Sequence, residues 1–408
     1  MERAFTAVTV TEKAERALRG GHPWVFDGEI TRIDGTCENG DIVDVFSRKG
    51  RYLGSGFLNG HSRIRVRLLS RNANDRFDEA FWRRRVRYAL DYRRTVMGPT
   101  DFRCCRLIFG EADTMPGLTV DRFENVLSVQ VLSLGMERVK DLIFRALVET
   151  LAGYGERIDA IYERNDVALR EKEGMTQYKG FYPLPGLRTD LDGTVIITEN
   201  GIRYAVDYRN GQKTGFFLDQ KYNRMAIRKI AACRRVLDCF THTGAFALNA
   251  AAAGAERVCA VDVSADAVEQ VRKNAALNGL EDRMDFLRAD VFDLLTDMAN
   301  AGRCDYDFII LDPPAFTKSR ETVKNAVRGY KEINCKAMKL LPRGGYLATC
   351  SCSHFMTEEL FVNMLHDAAR DAEVSLRQVE ARQQAADHPI LWNVPETNYL
   401  KFYIFQVV

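Results

Sequence analysis

A carboxylate and two thiols stand where apolar runs end. Phe308-Ile309-Ile310-Leu311 runs straight into Asp312-Pro313-Pro314-Ala315-Phe316, and Tyr346-Leu347-Ala348-Thr349 runs into Cys350-Ser351-Cys352. Open α/β sheets bind ligands beyond the carboxyl ends of their strands, so an acid and a thiol placed there are placed for chemistry. One chemistry needs both. Carbon 5 of a pyrimidine is too weak a nucleophile to take a methyl group directly. A thiolate first adds to carbon 6, the enamine-like intermediate is methylated at carbon 5, and a base then removes the carbon-5 proton as the thiolate leaves. An acid near N3 assists the addition. Asp312 suits that role, and Cys352 and Cys350 are the thiol candidates. A second chemistry uses the acid and prolines alone: Asp-Pro-Pro followed by an aromatic holds an exocyclic amino group while the ring stacks on the base. Here Ala315 intervenes before Phe316. The prolines offer no N–H to a sheet and stiffen the shelf in either case. Against both stands the plain reading of a cysteine as a small buried residue at a strand end.

These residues need a donor site and a sheet to hold it. Val236 to Asp262, VLDCFTHTGAFALNAAAAGAERVCAVD, reads as a strand, a tight turn, a small-residue helix and a parallel strand. Asp262, at the end of the second strand, suits ribose hydroxyls. The turn Asp238-Cys239-Phe240-Thr241-His242-Thr243-Gly244 carries one glycine rather than GxGxxG, which is poor for a pyrophosphate. It suits a phosphate-free cofactor whose amino-acid end is held by Asp238 and by backbone near Thr243 and Gly244; S-adenosylmethionine fits. The competing reading is that Gly244 and the alanines only allow close helix–sheet packing. Two further segments complete the donor set. Asn210 to Gln220, NGQKTGFFLDQ, brings Lys213, Thr214, Phe216 and Asp219, the last suited to an ammonium. Phe286 to Phe292, FLRADVF, ends at Asp290, suited to an adenine amino group, with Val291 beside the ring. The cofactor residues expected are therefore Thr214, Phe216, Asp219, Asp238, Phe240, Thr243, Gly244, Asp262, Val263, Asp290, Val291 and Asp312.

Composition sets outer limits. The 408 residues suggest two or three domains, and no run is long and apolar enough to span a membrane. Charges interrupt the first segment, MERAFTAVTVTEKAERALRGG, which does not read as a secretory signal. Ten cysteines without a regular framework point to a reducing cytoplasm. Cys104-Cys105 lack a CxxC partner and Cys350, Cys352 and His354 lack a second ligand pair, so no metal is expected. Net charge is +2, so a nucleic-acid partner needs a local patch. One runs from Arg63 to Arg94. Arg63, Arg65 and Arg67 alternate with Ile64, Val66 and Leu68, and Phe81, Trp82, Val86 and Leu90 then form a helical stripe among arginines. Such a row suits a phosphate backbone or a plain solvated face equally.

The chain divides into a β-rich module over residues 1–75, a central part over 76–190 and an α/β part over 191–408. Strands are expected at Ala7–Val10, Ile42–Phe46, Tyr52–Leu58, Ile64–Leu69, Val126–Val131 and Ala160–Tyr162, with a helix over Met136–Leu151.

The pieces NGQKTGFFLDQ, VLDCFTHTGAFALNAA, VDVS, LNGL, ILDPPAF, SCSHFM and RQQAADHP, in this order, resemble the large-subunit ribosomal RNA cytosine-5 methyltransferases over most of the chain. The resemblance implies an α/β fold: an N-terminal PUA domain, matched by His22-Pro23-Trp24-Val25-Phe26, a small central α+β domain, and a C-terminal class I (Rossmann-like) methyltransferase domain. It implies S-adenosylmethionine as donor and ribosomal RNA, 23S, as partner, with no membrane and with a homodimer as an assembly left open. RNA cytosine-5 methyltransferases carry a glycine pair, a short apolar strand and Thr-Cys-Ser; counted from Gly344-Gly345, the nucleophile falls on Cys352, with Ser351 for the threonine. Catalysis is then assigned to Cys352 and Asp312, and substrate contact to Lys213, Pro313, Pro314, Phe316, Arg63 and Arg65. Many such enzymes have a second cysteine after Asp-Pro, where this chain has Ala315 and Phe316, so product release needs another base. His242 and His388 either line the site or fix turns. Carbon-5 methylation, nitrogen methylation on the Asp-Pro-Pro shelf and non-catalytic RNA binding in ribosome assembly remain the readings to separate.

Overall fold

The computed structural model describes residues 5–302, 305–317 and 319–408. They fall into two compact units. One comprises residues up to Ile197, Val206–Leu218 and Ala386–Thr397; the other comprises Thr198–Ala205, Asp219–Ala385 and Asn398–Val408.

The first unit contains two sheets. β1 (Thr6–Val10), β2 (Trp24–Phe26), β3 (Ile30–Asp34), β4 (Ile42–Ser47), β5 (Tyr52–Leu58) and β6 (Ile64–Ser70) form a six-stranded sheet in the order β2-β6-β5-β4-β1-β3. β1 runs parallel to β4, and the remaining pairs are antiparallel. Helix α1 (Glu12–Arg19), capped by the Thr11 hydroxyl, buries Ala14 and Leu18 against Val8, Val10, Val25, Val43, Val45 and Val66. Short β-branched residues dominate this core because they fill a narrow, half-buried pleated surface. The sequence pattern located β1, β4, β5 and β6 to within a residue or two. It missed α1, whose start is marked only by Thr11 with Glu12 behind it.

Helix α2 (Glu79–Val96) starts at Asp78, whose carboxylate accepts the Phe81 N–H at 2.9 Å. Its expected stripe, Phe81, Trp82, Val86 and Leu90, is buried. A five-stranded sheet follows, in the order β11-β10-β9-β8-β7, from β7 (Cys104–Phe109), β8 (Leu118–Phe123), β9 (Val126–Val131), β10 (Ala160–Asn165) and β11 (Tyr178–Phe181). β7, β8 and β9 form an antiparallel meander. β9 and β10 are parallel, as their connection through helix α3 (Leu134–Gly153) requires.

The second unit is built on a seven-stranded sheet, introduced by helix α4 (Lys221–Ala231). Its strands are β12 (Arg235–Cys239), β13 (Arg257–Asp262), β14 (Met284–Arg288), β15 (Phe308–Leu311), β16 (Tyr346–Ser351), β17 (Leu376–Arg382) and β18 (Lys401–Val407). The order is β14-β13-β12-β15-β16-β18-β17. The first five are parallel, and β18 and β17 are antiparallel additions at one edge. Helices α5 (Ala245–Ala252), α6 (Ala265–Asn278), α7 (Val291–Asn300), α8 (Val323–Leu340) and α9 (Glu358–Asp371) make the crossovers. Near-continuous apolar strands such as Phe308–Leu311, fully buried, are what a parallel sheet covered on both faces demands. No described helix is long and apolar enough to cross a membrane.

Candidate active site

The chain leaves β12 outward to β13 and β14, then returns to the other side of β12 as β15. The carboxyl ends of β12 and β15 therefore flank a topological switch point, where open α/β sheets bind ligands. Cys239 pairs with Leu311 there, so Asp238 and Asp312 sit at the same edge.

The turn after β12 is unusual. Phe240, His242 and Gly244 have φ of 61°, 52° and 81°. At Gly244 a Cβ would meet Val271 Cγ1 at 2.6 Å, so glycine is required both by the left-handed backbone and by the approach of α6. The packing reading of this glycine is thus correct as far as it goes, but it leaves Asp238 unaccounted for. Asp238 Oδ2 accepts from the Thr241 hydroxyl at 2.6 Å and from the Ala247 N–H at 2.9 Å. Its Oδ1 is buried with no hydrogen-bond partner. Burial, and next the charges of Asp312 and Asp262, push its carboxyl up to about 7. A buried acceptor left open awaits a donor.

Asp262 ends β13 and ties the turn together: Oδ2 accepts the His242 N–H at 3.0 Å and Oδ1 the Ser264 N–H at 2.9 Å. The next residue, Val263, is 62% exposed, an apolar surface beside the acid at the sheet edge. Asp290 caps α7, accepting from Phe292 N at 2.8 Å. Val291 points into the core at 3% exposure. Asp219 is buried; its Oδ2 accepts from the Tyr399 hydroxyl at 2.6 Å. Thr243 offers its carbonyl to Asn274 Nδ2 at 2.9 Å.

These acids test the fit of the cofactor. Among the described residues neither Asp238, Asp262 nor Asp312 has a lysine or arginine in ion-pair contact. An edge with uncompensated carboxylates and an open buried oxygen repels a pyrophosphate and favours a cation. S-adenosylmethionine carries a sulfonium and an ammonium, and it fits. Asp238, Asp262 and the backbone near Gly244 would hold it, with Val263 under the adenine. When bound it supplies an electrophilic methyl group.

On the acceptor side, Asp312 follows β15. Its Oδ1 accepts from the Cys350 thiol at 2.9 Å and from Gln220 Nε2 at 3.2 Å. Gln220 Nε2 also reaches Cys350 Sγ at 3.4 Å. Burial pushes Asp312 up to about 6, helped by Asp219 and opposed by those hydrogen bonds. Cys350 is buried, and burial together with Asp312 raises its thiol well above the ordinary range. Cys352 ends the same run half-buried. Pro313 is buried and Pro314 exposed. The Phe316 ring lies 4.6 Å from Tyr330, 5.8 Å from Phe292 and 6.4 Å from Phe240, centroid to centroid, so it is packed among aromatics. Ser353 Oγ donates to the Thr317 carbonyl at 3.0 Å, tying the loop after β15 to the end of β16. Gln220 and Lys401, whose amine donates to the Ser353 carbonyl at 2.7 Å, were missed in the sequence. Their only signals were a polar end to NGQKTGFFLDQ and a lone charge opening an apolar strand.

The remaining expected residues lie in the first unit. Thr214 donates to Asp121 Oδ2 at 2.6 Å, and its carbonyl accepts from Ser128 Oγ at 2.8 Å. Phe216 is buried, and Lys213 Nζ lies 4.8 Å from the Phe217 ring centre. Arg65 is held by Asp27 and the Asn59 carbonyl, whereas Arg63 is exposed. Asp387 accepts the Arg106 N–H at 2.8 Å and bonds His388 Nδ1 at 2.9 Å. This is a buried clamp, so His388 fixes a turn rather than lying open.

Comparison with known proteins gives the family. Residues 186–406 match the S-adenosylmethionine-dependent methyltransferase family, and residues 8–71 match a PUA-like domain. The chain is 38% identical over 406 residues to a ribosomal RNA large subunit methyltransferase I of Klebsiella pneumoniae (strain 342), covering 99% of each. It is 42% identical over 391 residues to that of Aeromonas salmonicida (strain A449), covering 95% of this chain and 96% of the relative. A solved Streptococcus mutans structure shares the fold with a TM-score of 0.81 at 21% identity, covering 98% of this chain and 100% of its own. A second, complexed with SAH, gives 0.82 at the same identity. Carrying both family domains and these relatives along its whole length, the chain belongs to the S-adenosylmethionine-dependent methyltransferases, in the family of the ribosomal RNA large subunit methyltransferase I proteins, and S-adenosylmethionine is its cofactor.

Proposed function

We propose that this protein methylates ribosomal RNA of the large subunit in the cytoplasm, forming 5-methylcytosine in 23S rRNA with Cys352 as nucleophile. The observation that carries the reading is the contrast at the end of β16. Cys350, within the strand, is buried and engaged by Asp312, whereas Cys352, one residue past its end, is half-buried. Cys352 adds to carbon 6. Asp312, whose carboxyl is pushed up to about 6 by burial, stays mostly ionised at neutral pH yet titrates close enough to it to exchange a proton with the pyrimidine ring. Relatives named for large-subunit ribosomal RNA methylation support the substrate class. Arg63 and Lys213 are the exposed cations proposed to meet RNA phosphates, and Pro313, Pro314 and Phe316 to shape the base site.

A nitrogen-methylating site on the Asp-Pro-Pro shelf is the second reading. Phe316 weakens it: the ring is packed against Tyr330 rather than presented after the prolines. The deciding experiment incubates ribosomal RNA with the protein and labelled S-adenosylmethionine and identifies the modified nucleoside by mass. 5-Methylcytosine is expected, lost in Cys352→Ala with cofactor binding kept. 5-Methyluridine or an N-methylated base without 5-methylcytosine overturns the reading. Cofactor binding with no transfer to any ribosomal RNA favours an assembly role.

A further inference from the structure

Lys401 is a buried cation that forms no ion pair with a carboxylate among the described residues. It opens β18, opposite Ser351 in the register with β16, and is 6% exposed. Its amine curls back over the end of β16, donating to the Ser353 carbonyl at 2.7 Å and the Tyr399 carbonyl at 2.9 Å. Ser353 directly follows Cys352, so the amine is fixed at the backbone where the candidate nucleophile sits. No carboxylate of the described residues makes an ion pair with it. A lysine amine has three N–H donors, and these carbonyls take two. Burying such a charge is costly unless it is matched, and burial indeed pushes this amine down to about 8.

Several groups near the end of β16 have hydrogen-bond partners of their own. Glu358, in the first turn of α9, accepts from the Tyr403 hydroxyl at 2.8 Å. Cys350 donates to Asp312. Tyr330, from α8, takes the Ser351 hydroxyl at 3.0 Å. The charges acting on Lys401 are those of Cys352, Glu358 and Cys350, in that order.

We propose that Lys401 is the counter-charge of the Cys352 thiolate, a positioning residue that makes the thiol nucleophilic at neutral pH. The reading of Cys352 as the nucleophile comes from the proposed function. Cys352 loses its proton to solvent, Lys401 keeps its own, and the thiolate lone pair is then free to form the bond to pyrimidine carbon 6. The alternative is that Lys401 only pins the loop after β16 to β18. The two differ in what happens to the thiol.

The test is iodoacetamide alkylation of the full-length protein across pH, read at the Cys352 peptide by mass spectrometry, with exposed Cys233 as the internal reference. In the wild type the midpoint for Cys352 is expected below that for Cys233. In Lys401→Met it is expected to rise by about one unit or more, and in Lys401→Arg to return towards the wild-type value. An unchanged midpoint in folded Lys401→Met, or a wild-type midpoint at or above that of Cys233, overturns the proposal. The wild-type comparison stands even if Lys401→Met does not fold. Neither RNA nor cofactor is needed. A midpoint shift in a protein that makes no 5-methylcytosine upholds the pairing while removing the carbon-5 reading.

Discussion

Cys350 donates its thiol to Asp312 at 2.9 Å, while Cys352, two residues further along, ends the run half-buried. The hydrogen bond fixes the acid at the switch point and makes the first thiol a poor nucleophile, since burial and a neighbouring carboxylate both oppose its ionisation. The two cysteines should separate cleanly. Cys352→Ala is expected to lower kcat by at least about 10³-fold with cofactor affinity within a factor of about three, as for loss of a covalent nucleophile. Cys350→Ala removes one of the two donors to Asp312 and leaves a small cavity, so it should cost about 1–2 kcal/mol of stability and less than about 100-fold in kcat. Single-turnover methylation with titrated cofactor binding measures both. Equal losses in the two variants would refute the division of roles.

Asp238 makes cofactor binding depend on pH. Its carboxyl is raised to about 7, so it is largely protonated at pH 6 and ionised at pH 8. If the ionised form is the one that meets the cofactor's positive charge, affinity should rise with pH up to about 7 and then level off, by at most about tenfold per unit on the rising limb. Calorimetric titration of S-adenosylmethionine between pH 5.5 and 7.5 checks this, and Asp238→Asn should bind weakly with a flattened profile. The sign for stability is opposite. A raised carboxyl means that the folded chain holds the extra proton, so cofactor-free stability should fall as pH rises from the ordinary carboxyl value to about 7. A wild-type affinity that falls with pH across the window would exclude Asp238 as the group responsible.

The βαβ frame was legible because its signals are local. The Val236–Asp262 run holds strand, turn, helix and strand within one stretch, and the structure keeps Asp238 and Asp262 near the ends of its two strands. What stayed hidden depends on distant partners. Arg65 and Arg67 alternate as a basic row, but Asp27 pairs with the first and Glu111 and Glu173 with the second. Alternation gives a side chain's direction and says nothing of the acid it meets. Thr214 sits in a glycine-rich motif, yet its hydroxyl goes to Asp121. Ala386–Thr397 joins the first unit through contacts such as Arg93 to the Asp387 carbonyl at 2.9 Å, nearly 300 residues apart in sequence. Lys401 was invisible for the same reason, since only strand order brings β18 beside β16.

The pair Arg224 and Glu199 supports the second unit. The guanidinium donates to both carboxylate oxygens, at 2.6 and 2.8 Å, and both side chains are buried. Arg224→Met strands Glu199 without a partner and is expected to cost about 3–5 kcal/mol, whereas Arg224→Met with Glu199→Met should recover much of that loss. Urea unfolding of the single and double variants measures it. A double variant destabilised by the sum of the two single losses would show that the pair contributes no coupling.

Gly244 carries two constraints that a double variant can separate. Its φ of 81° disfavours any side chain, and a Cβ there would lie 2.6 Å from Val271 Cγ1. The backbone cost of alanine in the left-handed region is about 1–2 kcal/mol, and forcing a methyl into packed space adds about 1–3 kcal/mol. Gly244→Ala should therefore lower stability by about 2–5 kcal/mol and displace the Asp238 turn, weakening cofactor binding as well. Val271→Ala removes the obstructing methyls and leaves the backbone untouched. In the Val271→Ala background, Gly244→Ala should cost only the backbone share of about 1–2 kcal/mol, so the mutant cycle should return a coupling equal to the packing share, about 1–3 kcal/mol. Strict additivity would mean that α6 yields without resistance, and that the glycine is held there by its backbone angle alone.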